Sequence, residues 1–296
     1  MIKYYRQKNF NFQDFDLIVK NNVLYAFYVK KTPHSAKNKD SKKPNTFGLA
    51  KSKDGINWEA LNDILIPVKN SWEESLWAGC ISKQGKIYTV YYTGVVAKER
   101  ESSCKIGKAY SFDLVKWKKD RKNPVMTFDK NDPYYSNEPN LAFRDPFHFK
   151  HNGKNYILLC TKDKIKSKGQ RGCIGLFEEY KKNEFRSLPP LFSPGKYYAL
   201  ECPALYKIKN VWYLLYGDDK KTVFCYAIAK NPFGPYKEPK NNVLLPKFNY
   251  TLRIIKFKGK YLMYWWIRDF PNGIVRERLA GPRQIETTEN GEIKLL

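Results

Sequence analysis

Residues 147–159 read FHFKHNGKNYILL: a strand rich in apolar residues, an Asn-Gly pair, then a second apolar strand. Asn-Gly between two such runs is a strong short-range hairpin signal, because both residues tolerate the positive φ of a tight turn. The same unit occurs four more times, as LIVKNNVLYAFYV (17–29), CISKQGKIYTVYY (80–92), LYKIKNVWYLLYG (205–217) and IIKFKGKYLMYWW (254–266). The turns are predicted at Asn21-Asn22, Gln84-Gly85, Asn152-Gly153, Lys209-Asn210 and Lys258-Gly259. Third strands follow most hairpins: FGLAKSKDG, KIGKAYSFD, CIGLFEEY and FCYAIAKNP. The first two continue through Ser52-x-Asp54-x-x-x-Trp58 and Ser111-x-Asp113-x-x-x-Trp117 toward a fourth. Four antiparallel strands repeated five times, at a spacing of roughly 50–70 residues, predict an all-β fold, a five-bladed β-propeller. A β-sandwich would explain short strands but not a repeat of this length. The expectation is one propeller domain over residues 1–296, with no C-terminal β-sandwich after it.

The repeat supplies a register. Eleven residues before the aromatic residues that open the second strands (Tyr25, Tyr88, Tyr156, Trp212 and Tyr261) stand Asp14, Trp77, Asp145, Glu201 and Tyr250. In a propeller these positions open the innermost strands, so all five ring one end of the central channel. Carboxylates brought together raise one another's pKa, which keeps one of them protonated near neutral pH. Such a set supplies an acid together with a base or nucleophile, as glycoside cleavage requires. Trp77 and Tyr250 offer flat faces for a sugar ring. Arg144, beside Asp145, offers a competing use for the acids, as partners in simple ion pairs.

FRDP (143–146) and ECP (201–203), on separate blades, resemble the two signature motifs of the sucrose- and fructan-cleaving glycoside hydrolases, the invertase/levanase group. The blade-one acid is also shared with the related arabinofuranosidase/xylosidase group. The resemblance spans roughly residues 10 to 285. It implies that Glu201 is the general acid/base, that Asp145 with Arg144 holds sugar hydroxyls and stabilises the transition state, and that Asp14 is the nucleophile. The chain departs from the group around that nucleophile. Where invertases carry Asn-Asp-Pro-Asn-Gly, it reads Gln13-Asp14-Phe15-Asp16-Leu17. Gln13 is then the expected sugar contact beside the nucleophile, and Asp16 an alternative nucleophile. No cofactor is expected. The three histidines, His34, His148 and His151, are too dispersed for a metal site and are expected to pack or face solvent. Some members of these groups hold a calcium ion in the channel, which leaves a structural cation open.

Composition bounds the setting. Fifty-four Lys and Arg against 29 Asp and Glu give a net charge of +25, a field that favours anionic partners. Two basic segments, VKKTPHSAKNKDSKKP (29–44) and TKDKIKSKGQRG (161–172), fall in loops on the ring's face. No nucleic-acid-binding motif accompanies them. The expected partner is a carbohydrate, with an anionic glycan or a phosphate-bearing sugar as the form that suits the charge. No apolar run approaches the roughly 18 residues of a membrane span, and the N-terminus shows no signal-peptide pattern. Six single cysteines without a CxxC pair suit reduced thiols and a cytoplasmic protein.

The expected activity is cleavage or transfer of a furanosyl residue, fructofuranosyl first, with retention. The alternatives are a cytoplasmic fructosyltransferase decorating an anionic surface polysaccharide, an inverting arabinofuranosidase or xylosidase, a mannoside-phosphorylase-like enzyme, and a non-catalytic glycan-binding propeller.

Overall fold

The structure, a computed structural model, describes residues 2–33, 44–137 and 142–296. Five antiparallel sheets follow one another along the chain. Blade one is built from Asn11–Lys20, Val23–Lys31, Thr46–Ser52 and Glu59–Ala60, and blade two from Ser75–Gln84, Ile87–Val95, Lys105–Ser111 and Met126–Thr127, with Lys118–Lys119 also on its third strand. Blade three comprises Arg144–His151, Lys154–Lys162, Gly172–Lys181 and Glu184–Phe192. Blade four comprises Leu200–Ile208, Val211–Asp218, Val223–Ala229 and Val243–Leu245. Blade five takes Asn249–Phe257, Lys260–Asp269 and Arg276–Thr287, and its outer strand, Lys3–Tyr5, comes from the other end of the chain. That pairing locks the first blade to the last. Helix is confined, among the described residues, to two short 3-10 turns.

The turns follow the sequence, with one adjustment. Asn21 and Asn22 have φ of 49° and 58°, and Asn152 and Gly153 have φ of 46° and 80°, the paired positive values of a two-residue hairpin turn. In blade two the turn falls one residue later than expected, at Gly85-Lys86, between strands ending at Gln84 and starting at Ile87. Gly85 takes the first central position with φ 59°. Side chains such as Phe12, Phe27, Phe47, Tyr92, Leu158 and Leu214 are buried between and within the blades. The Ser-x-Asp elements cap the exit of the third strand in blades one and two. Asp54 Oδ1 accepts from the amides of Ile56 and Asn57, and Asp113 Oδ1 from those of Val115 and Lys116.

The innermost strands share one irregularity. Each ladder shifts register near its channel-mouth end, between Gln13 and Phe15, Trp77 and Gly79, Arg144 and Phe147, Glu201 and Ala204, and Tyr250 and Arg253. A bulge bends the strand and re-aims its side chains. Asp145, Cys202 and Thr251 adopt φ of 59°, 48° and 38° there, conformations costing about 1 kcal/mol or more for non-glycine residues. The register position read from the sequence therefore sits at or beside a bulge in every blade.

Candidate active site

The channel end opens into a cavity of about 670 Å³, and Gln13, Asp14, Trp77, Arg144, Asp145, Glu201 and Tyr250 all line it. Its floor is held by donors and acceptors from different blades. Asp14 Oδ1 accepts from Thr251 Oγ1 at 2.6 Å and from Trp266 Nε1 at 3.1 Å, with Cys202 Sγ 3.6 Å away. These contacts come from blades four and five and orient a blade-one carboxylate. Asp145 is buried; its backbone amide donates to Thr93 Oγ1 at 2.9 Å, and its side-chain Oδ2 accepts from the Cys202 amide at 3.0 Å. Arg144 joins the other two acids. Its Nη2 lies 2.8 Å from Glu201 Oε1, and its Nε lies 3.8 Å from Asp145 Oδ2.

The acids differ in environment. Burial pushes the Glu201 carboxyl up to about 7; Arg144 opposes this, and Asp145 and Asp219 add to it. Asp145 is also raised, first by burial, against Arg144 and with Asp14 adding to the rise. Glu201 nonetheless keeps its side chain 32% exposed toward the cavity, while Asp145 is 7% exposed. A carboxyl that is half protonated near neutral pH and reachable by a ligand can give a proton in one step and take one in the next.

The aromatic residues are more engaged than the sequence suggests. Tyr250 stacks on Trp266 with centroids 4.3 Å apart, and the Arg268 guanidinium lies 5.0 Å from its ring. The Arg100 guanidinium lies 5.7 Å from the Trp77 ring. Gln13 donates from Nε2 to Glu277 Oε1 at 2.8 Å. Asp16 is buried outside the cavity lining, where its Oδ2 accepts from the Ile81 amide and its Oδ1 lies 3.5 Å from Arg253 Nε. Arg253, itself fully buried, also donates to the Cys202 carbonyl at 3.2 Å. His148 is buried and stacked on Tyr91, and His151 packs edge-on to Trp212 and Phe233. His34 lies outside the described residues.

Lys31, Asp218, Asp219 and Arg268 also line the cavity; from sequence only Lys31 stood out, as part of a basic run, and the other three were not singled out. All four stand within one residue of the ends of the second strands, six or seven residues beyond Tyr25, Trp212 and Tyr261. Carrying the same register up those strands is the signal that finds them. Of the two basic segments, Lys37, Lys39, Lys42 and Lys43 lie outside the described residues. In the second segment Lys162 donates to the Tyr198 carbonyl, Lys164 to the Asp132 carbonyl and Arg171 to the Lys166 carbonyl, while Lys168 is exposed. None of the three donors lines the cavity.

Several solved structures share the architecture. Fructan 1-exohydrolase IIa from Cichorium intybus superposes with a TM-score of 0.76 at 19% identity, over 100% of this chain and 60% of that one. Bacillus subtilis levansucrase superposes at 0.76 with 13% identity, over 98% of this chain and 86% of that one. A thermostable family-43 glycoside hydrolase superposes at 0.73 with 16% identity, over 97% and 93% of the two chains. The chain thus spans about 60% of the length of the exohydrolase. No curated protein sequence matches. The family model described as the glycosyl hydrolases family 32 N-terminal domain matches residues 8–267, from ahead of Asp14 to beyond Trp266. With all five innermost strands and the acids they carry inside that match, the chain belongs to glycosyl hydrolase family 32.

Proposed function

We propose that this propeller cleaves or transfers a fructofuranosyl unit with retention of configuration. The observation that carries the reading is the division of labour among the cavity acids. Glu201 has a carboxyl near pH 7 and access to the cavity, while Asp14 is oriented by Thr251 and Trp266. In the first half-reaction Glu201 donates its proton to the glycosidic oxygen as the C–O bond breaks. The free oxygen of Asp14 attacks the anomeric carbon and forms a furanosyl ester. In the second half Glu201, now a carboxylate, takes a proton from water or an acceptor hydroxyl. That oxygen attacks the anomeric carbon and releases Asp14. Asp145, with Oδ2 occupied by the Cys202 amide, accepts from sugar hydroxyls with its other oxygen. Arg144 holds Glu201 in place while it is charged.

Relatives of known structure support the sugar class: fructan 1-exohydrolase IIa has been crystallised with 1-kestose, and a Bombyx mori β-fructofuranosidase with sucrose. The proposed setting is cytoplasmic, in keeping with six buried, unpaired cysteines. No helix among the described residues is long and apolar enough to cross a membrane. The test is a donor screen with sucrose, 1-kestose and aryl furanosides, with and without an acidic glycan acceptor, read by mass spectrometry. Turnover of a fructofuranoside that Glu201→Gln abolishes supports the reading. Glycan binding by the wild type without turnover on any furanoside would assign a lectin instead, and strict dependence on inorganic phosphate a phosphorylase.

A further inference from the structure

We propose that the cavity wall formed by Lys31, Arg268, Arg100 and Lys98 is a subsite for an anionic substituent, a phosphate ester or a carboxylate, carried by the furanosyl unit that is transferred.

The cavity is electrostatically lopsided. All four cations line it; Lys31 comes from blade one, Lys98 and Arg100 from the loop after the second strand of blade two, and Arg268 from blade five. Blade four supplies Asp218, Asp219 and Glu201 to the same cavity. On the cationic side the nearby acids among the described residues are Glu277, Glu101 and Asp14. Glu277 is fully buried and already engaged by Arg268 at 2.8 Å and by Gln13 at 2.8 Å, while Glu101 lies 3.6 Å from Arg100. Among the described residues, four positive groups against three negative ones leave that wall with a net positive charge.

Lys31 is its centre. The side chain is half-buried, and it makes no hydrogen bond or ion pair among the described residues, unlike its neighbour Lys30, which is paired with Asp63 at 2.5 Å. Burial, then the Arg268 and Arg100 guanidiniums, pull the Lys31 ammonium below its usual range, against the opposing pull of Glu277 and Asp14. A desolvated cation crowded by like charges gains most from an anion placed beside it. Its position also says which part of the substrate bears that anion. Lys31 ends the strand paired with the one that carries Asp14, the proposed nucleophile, and Arg268 lies two residues beyond Trp266, which donates to Asp14, whereas Glu201 stands on blade four. The residue therefore faces the sugar bonded to Asp14 rather than the leaving group that Glu201 protonates. That last step rests on the assignment of Asp14 made above; the charge asymmetry does not.

The test is calorimetric binding to the whole chain of fructose, fructose 6-phosphate, fructuronate and inorganic phosphate. One charge-assisted contact gives a preference of about tenfold or more over fructose. The preference falls as salt is raised and largely disappears in Lys31→Met. Preference for fructose 6-phosphate alone assigns a phosphate ester; preference for fructuronate as well assigns a general oxyanion site. Equal binding of fructose and both anionic sugars by the wild type would overturn the proposal. So would absence of binding by any of them, tighter binding of phosphate alone than of the anionic sugars, or an undiminished preference in Lys31→Met. Because this readout is binding, it fails separately from the catalytic reading: a preference without turnover sinks the catalysis and keeps the subsite, and turnover without a preference does the reverse.

Discussion

Replacing Arg144 by methionine should move the Glu201 carboxyl upward in pH. In the wild type, Glu201 already titrates at about 7 because burial and the acids around it outweigh the guanidinium 2.8 Å away. Removing that cation takes away the largest influence favouring the charged form. A pair of unit charges at about 4 Å is worth roughly 4 kcal/mol at an effective dielectric of 20, which at about 1.4 kcal/mol per unit sets an upper bound of about 3 units. Glu201 is 32% exposed, so solvent screening reduces the effect, and a rise of roughly 1–2 units is expected. The sign for stability follows. The folded value lies above the ordinary 4.5, so the stabilising share of this group is present below that value and is lost as pH rises through about 7. Arg144→Met extends the loss to higher pH. Carboxyl carbon NMR on protein labelled at Glu, with Glu201→Gln to assign the signal, reads the titration without any substrate. An unchanged or lowered midpoint in Arg144→Met would refute the reasoning.

Three further outcomes are expected. Thr251→Val keeps the shape of the side chain but removes the hydroxyl 2.6 Å from Asp14, so kcat/KM on any donor found should fall roughly 10- to 100-fold, measured by initial rates; an unchanged value would detach Asp14 from the chemistry. Arg253→Met strands the buried Asp16 carboxylate and should cost about 3–5 kcal/mol in urea unfolding, while the double replacement Asp16→Leu/Arg253→Met should recover much of it. Gly107→Ala would place a methyl 2.3 Å from the Tyr92 ring, which covers that glycine across the strands, and should cost about 1–3 kcal/mol by the same measurement.

The hairpins were legible because each depends on neighbours in sequence: Asn and Gly at the turns, apolar alternation on either side. The ring of Asp14, Asp145 and Glu201 was legible because a repeat turns position in sequence into position in space. What escaped depends on partners far along the chain. Lys3–Tyr5 finds its ladder at Leu279–Gly281, and three residues carry no pattern that announces it. The sequence shows Trp77 and Tyr250 as free aromatic faces, but Trp266 stacks on Tyr250 from the neighbouring strand and Arg100 approaches Trp77 from the loop after the second strand of blade two. Asp16, two residues after Asp14, read as the fallback nucleophile; the bulge between Gln13 and Phe15 sends Asp14 into the cavity and leaves Asp16 outside its lining, on Arg253. Lys31 read as one lysine in a basic run, and only the strand end shows it aimed into the site.

In the proposed reaction Asp14 forms a bond to the sugar and Glu201 manages the proton. Glu201→Gln incubated with an aryl fructofuranoside, whose leaving group needs no protonation, should accumulate a covalent adduct of one anhydrohexose unit. Peptide mass spectrometry should then locate that adduct on Asp14. An adduct on Asp16 or Asp145, or turnover to the inverted anomer without any adduct, would contradict the account.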